Sequence, residues 1–78
     1  MKRYIIEQRA NKIWDILSSV YVEKVENIRF KLGIEEFELF AALGWLARDK
    51  EIFCLNIRDE IYLSNKERLD NNLHFIKL

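Results

Sequence analysis

The sequence predicts a mainly α fold of three helices followed by a small β-wing, and three observations carry it. Leu39-Phe40-Ala41-Ala42-Leu43-Gly44-Trp45-Leu46-Ala47 is a run of nine residues without a charged or polar side chain. Gly33 stands just before it and closes a preceding amphipathic stretch. After Arg48-Asp49-Lys50-Glu51 the pattern turns β-like from Ile52 onward. Helix, helix, glycine-closed turn, helix and hairpin, in that order, describe a winged helix-turn-helix. In that architecture the second helix of the motif normally faces nucleic acid.

Each element has its own signal. Ile6, Ala10, Ile13, Trp14, Leu17 and Val20 recur at helical spacing and predict a first helix over about 5–19. Val22, Val25, Ile28, Arg29 and Leu32 predict a shorter second helix over about 22–31, which Gly33 ends in the left-handed conformation common at helix C-termini. The third helix starts with Glu35 as its N-cap. Ile34 just outside then pairs with Leu39 at the fourth helical position as a hydrophobic staple. Glu36 and Glu38 fall in its first turn, where the helix dipole favours negative charge. Ile52–Ile57 and Ile61–Leu63 are rich in β-branched and aromatic residues and predict two strands, with Arg58-Asp59-Glu60 as the turn between them. Ser64 and Glu67 read as a capping box for a short last helix carrying Leu69 and Leu73, and 73–78 reads equally as helix end or strand. The 78 residues make one small domain, with its core over about 5–63 and a C-terminal tail over 64–78.

Composition narrows the function. Thirteen basic and thirteen acidic residues cancel, and the sequence pI is about 6.6. Nucleic-acid binders usually carry a basic excess, because phosphate contacts supply much of their affinity. A single cysteine, Cys54, excludes an internal disulfide and points to a reducing compartment, so a cytoplasmic location is expected. Glu7, Gln8 and Arg9 end the apolar stretch after Tyr4-Ile5-Ile6 too soon for a signal peptide, and no segment approaches the roughly 20 apolar residues of a membrane span. Half the residues are hydrophobic, enough to fold and enough to leave apolar surface that pairing with a second copy would cover.

Ala10-Asn11-Lys12-Ile13-Trp14 and Ala42-Leu43-Gly44-Trp45-Leu46-Ala47-Arg48 resemble a family of small bacterial winged helix-turn-helix proteins catalogued as a domain of unknown function. The resemblance covers roughly residues 6 to 63. Tyr21-Val22 stands where such proteins often place a small polar helix cap. It implies a winged-helix fold and a DNA-binding, transcription-regulatory role.

The third helix itself pulls in another direction. Placed at 100° intervals, Leu39, Ala42, Leu43 and Leu46 cluster on one side as the expected core face, with Phe40 and Ala47 at its edge. The opposite side carries Phe37, Ala41, Gly44, Trp45 and Arg48. Base edges are read by polar and basic side chains, chiefly from the first turns of such a helix. Only Arg48 fits that chemistry, and it lies in the last turn, while Glu35, Glu36 and Glu38 occupy the first. Between Val22 and Glu51 seven acidic and five basic residues leave a net charge of −2.

Three roles for this face follow. Phe37 and Trp45 pack under the wing or tail and finish one core. Alternatively Phe37, Ala41, Gly44 and Trp45 form a homodimer face, the small residues allowing close backbone approach between aromatic anchors. In the third the face reads DNA. Weak, salt-dependent contact with duplex DNA through its backbone would fall to Lys24, Arg29, Lys31 and Arg48, helped by Lys2, Arg3, Arg9 and Lys12. Arg58 in the wing, beside Asp59 and Glu60, is a weak minor-groove probe.

Catalysis is not expected. Cys54 and His74 are each unique, so a four-ligand zinc site cannot form in one chain, and a Cys-His nucleophilic pair would still need a third group to orient it. Cys54 reads as a core thiol in an apolar strand. No glycine-rich phosphate loop or serine elbow is present, so no cofactor or metal is assigned.

Overall fold

The computed structural model describes residues 2–66 and 76–78. Helix α1 spans Arg3–Val20, β1 Val22–Lys24, α2 Val25–Leu32, α3 Glu36–Leu46, β2 Phe53–Ile57, β3 Glu60–Ser64 and β4 Ile76–Lys77. The strands form one antiparallel sheet in the order β1-β3-β2-β4. Three helices and a β-hairpin make this a winged helix-turn-helix, as the sequence predicts.

The core is one cluster drawn from every layer. Ala10, Ile13 and Leu17 of α1 meet Val25 and Ile28 of α2 and Leu39, Ala42, Leu43 and Leu46 of α3, closed by Ile34, Ile52 and Leu63. The buried residues of α3 are the four that the helical wheel selects. Ile34 and Leu39, the expected staple, are both buried in this cluster. Helix α3 begins as expected after Glu35, whose N–H donates to the Glu38 carboxylate at 2.9 Å. Gly33 closes α2 with φ +64°, and the next N–H, that of Ile34, donates back to the Arg29 carbonyl at 3.2 Å.

Three expectations are corrected. The second helix starts at Val25, not Val22, because Val22–Lys24 pairs with β3 in the register Val22↔Ser64, Glu23↔Leu63 and Lys24↔Tyr62. Val22 and Val25 share a helical face and also suit a strand; the ladder that β3 offers decides for the strand. The turn of the hairpin is Arg58-Asp59 alone, both at positive φ, and Glu60 already pairs with Ile57. Val20, placed in the apolar stripe of α1, is exposed at the helix end.

The end of the chain resolves toward strand. Ile76–Lys77 pairs with Cys54 and Phe53 of β2, and Leu78 N–H donates to the Ile52 carbonyl at 2.8 Å. The helix expected from Ser64 and Glu67 through Leu69 and Leu73 lies outside the described residues, as does His74. Ser64 itself ends β3. Among the described residues no helix is long and apolar enough to cross a membrane.

Candidate functional site

The long apolar helix is buried on one side only. Its opposite face reaches solvent: Phe37 is 69% exposed and Phe40 40% exposed, and Ala41 and Gly44 are exposed beside them. Trp45 departs from the other three residues of the predicted face. It is half-buried against the core, and the guanidinium groups of Arg3 and Arg48 stand 5.0 and 4.8 Å from its ring centroid. A ring held this way gains cation–π attraction from two elements at once. So the face divides, with Phe37, Ala41 and Gly44 open to solvent and Trp45 joined to the body of the domain.

Carboxylates dominate the start of α3. Glu38 accepts the Glu35 N–H and lies 2.7 Å from an Arg9 nitrogen. These contacts, the backbone donor first and then Arg9, hold its carboxyl below the ordinary value. Glu35 and Glu36 remain exposed. Phosphate approaching this helix end therefore meets negative charge before any donor.

The predicted DNA-backbone residues are each engaged, and they do not converge. Lys24 Nζ sits 3.1 Å from Glu60 of the wing, a pairing that raises the lysine pKa. Arg29 is 2.8 Å from Glu26 and 3.8 Å from Glu35, and its Nε donates to the Ile34 carbonyl at 3.3 Å. Lys31 is 3.5 Å from Glu23. The Glu23 carboxyl is itself pulled down in pKa, first by the Asn27 side-chain amide and then by the Lys24 N–H and Lys31. Arg48 lies beyond the far end of α3, on Trp45.

A groove of about 270 Å³ runs between α2, α3 and the wing, where a DNA-reading surface would lie. Val25, Phe40 and Ile61 line it with four carboxylates, Glu26, Glu36, Asp59 and Glu60, and one cation, Lys24. Arg58 is exposed at the wing tip. Cys54 is half-buried, less enclosed than its apolar strand suggests. Among the described residues no group of three or more His, Cys, Asp or Glu is arranged to hold a metal ion.

Two features escape the sequence reading. Phe30 on α2 is 90% exposed, which the wheel signals, since it lies opposite Val25, Ile28 and Leu32. Phe40 belongs to the solvent side as much as to the core edge, and only the packed position of the wing shows this.

Comparison with known families adds one match. The family model described as a winged helix-turn-helix domain (DUF2582) covers residues 1–65. No curated protein and no solved structure matches the chain.

Proposed function

Because the chain belongs to this winged helix-turn-helix family, we propose that it is a non-catalytic regulatory domain whose third helix binds a second copy of the chain instead of reading base edges. One observation carries this reading: Phe37, Phe40, Ala41 and Gly44 form an exposed apolar face behind an acidic first turn. Aromatic side chains flanked by small ones are what interface cores use, and base-edge readers need donors that this face lacks. Light scattering tests it. A dimer has twice the 9.5 kDa chain mass, and Phe37→Glu should give a folded monomer, because an unpaired charge in the seam opposes burial. A wild-type mass of 9.5 kDa at high concentration overturns the reading.

A second reading is contact with the phosphate backbone of duplex DNA. It is favoured by the exposure of Lys2 and Lys12 along α1 and of Arg58 at the wing tip. Lys24, Arg29, Lys31 and Arg48 would join by exchanging a carboxylate or a ring for phosphate. Such binding is weak and fades with salt. In either reading the domain works in the cytoplasm.

A further inference from the structure

The groove between α2, α3 and the wing has walls that repel phosphate and attract a cation. Four carboxylates against one lysine leave its lining with a net charge of −3. Two of the four are already engaged: Glu26 stands 2.8 Å from Arg29, and Glu60 stands 3.1 Å from Lys24. Glu36 and Asp59 are exposed and have no ion-pair partner among the described residues.

Apolar surface lies between these charges. Phe40 is 40% exposed and Ile61 36% exposed in the same groove. Glu36 and Phe40 are four residues apart on α3, so carboxylate and ring are neighbours on one side of the helix. The wing brings Asp59 and Ile61 from the opposite wall. An aromatic ring between carboxylates of two elements suits a guanidinium. That group stacks on the ring, forks its donors to carboxylates and lays its methylene stem on apolar surface. A volume of about 270 Å³ falls below the roughly 300–1,000 Å³ of small-molecule sites, and fits a side chain projecting from a longer segment.

We infer that this groove takes an arginine side chain of a partner protein, presented by a basic segment with an apolar residue beside it. The guanidinium lies over Phe40 between Glu36 and Asp59, and the apolar neighbour rests on Ile61. Charge complementarity carries the choice of partner, since duplex DNA would bring phosphate to the same carboxylates. Phe37, Ala41 and Gly44 lie outside the groove, so this contact is distinct from the association proposed above and shares only Phe40 with it.

The probe is a short peptide alternating arginine and leucine, blocked at both ends and titrated at low salt while amide NMR shifts of the chain are followed. Saturable shifts should centre on Glu36, Phe40, Asp59 and Ile61. Glu36→Gln combined with Asp59→Asn keeps the shape of the groove, removes both free charges and should weaken binding by about 10-fold or more. Phe40→Leu keeps the apolar surface without the ring and should weaken it by about 2–5-fold. A peptide with citrulline for arginine, equal in shape but uncharged, should bind as poorly to the wild type as the arginine peptide binds to the double variant. The Phe37→Glu chain should bind at least as tightly as the wild type, so a failed association leaves this contact standing. Absence of saturable shifts, equal binding of the citrulline peptide, or shifts centred on Phe30 or Phe37 overturns the inference. Duplex DNA that moves the same four amides would mark a phosphate surface. The same amides shifting on dilution of the chain alone would give the groove to a second copy, and either result overturns it too.

Discussion

The Ser64 hydroxyl, buried at the end of β3, donates to the Tyr21 carbonyl at 2.7 Å, joining the wing to the residue that ends α1. Tyr21 sits at φ 68° and ψ −33°, outside the regions that ordinary residues favour. Its N–H donates to Leu17 and its carbonyl also receives the Asn65 N–H at 3.3 Å, so the surroundings hold this backbone in place. The same Ser64 oxygen accepts the Lys66 N–H at 2.9 Å. One small polar side chain thus ties the end of α1 to the end of β3 and to the residues that follow it.

Ser64→Ala removes a buried donor and acceptor while the Tyr21 carbonyl keeps only the longer bond. Stability should drop by about 1–3 kcal/mol. Urea denaturation at equilibrium checks the value, and a change below about 0.3 kcal/mol would mean that Ser64 is a spacer and nothing more.

The wing turn is strained in an adjustable way. Arg58 at φ 52° and Asp59 at φ 66° occupy the two left-handed positions of a two-residue hairpin, positions that favour Asn-Gly. Arg58→Asn with Asp59→Gly should stabilise the domain by about 1 kcal/mol, raising Tm by about 4–8 °C. A lowered Tm would show that Arg58 or Asp59 makes a contact in solution that offsets the strain.

Acid should loosen the start of α3 early. Glu38 and Glu23 both have folded-state pKa values depressed below the ordinary 4.5. Their stabilisation is therefore complete above the ordinary value and is lost as pH falls through 4.5 toward the folded values. Glu38→Gln keeps an acceptor for the Glu35 N–H but removes the charge that faces Arg9. The variant should show a shallower decline of Tm below about pH 5 than the wild type. Parallel curves would mean that Glu38 ionisation is not linked to folding.

Duplex DNA should bind weakly if at all, with affinity falling between about 50 and 200 mM salt in fluorescence anisotropy. Alanine at Lys24, Arg29, Lys31 or Arg48 should change that affinity only slightly, since three of them are already neutralised by Glu60, Glu26 and Glu23. Tight, salt-resistant binding that collapses in one of these variants would restore a DNA-reading surface.

Local chemistry made much of this protein legible from its residues alone. Leu39, Ala42, Leu43 and Leu46 recur at a spacing that only one face of a helix satisfies, and Gly33 and Glu35 mark a helix end and start through their own backbone bonds. These features depend on neighbours within a few positions, so the chain carries them wherever it folds. The strand at Val22–Lys24 is different: its residues suit helix and strand alike, and the ladder supplied by Tyr62, Leu63 and Ser64 makes the choice. Ile76–Lys77 becomes a strand for the same reason, because β2 offers a free edge. The surface also needed tertiary structure. Lys24 reads as a free cation until the wing brings Glu60 to it. Trp45 reads as a twin of Phe37 until α1 brings Arg3 over its ring. Helical periodicity orients a side chain about its own axis. Whether it ends in solvent, in an ion pair or under a neighbour depends on elements distant in sequence, and that is settled only when they pack.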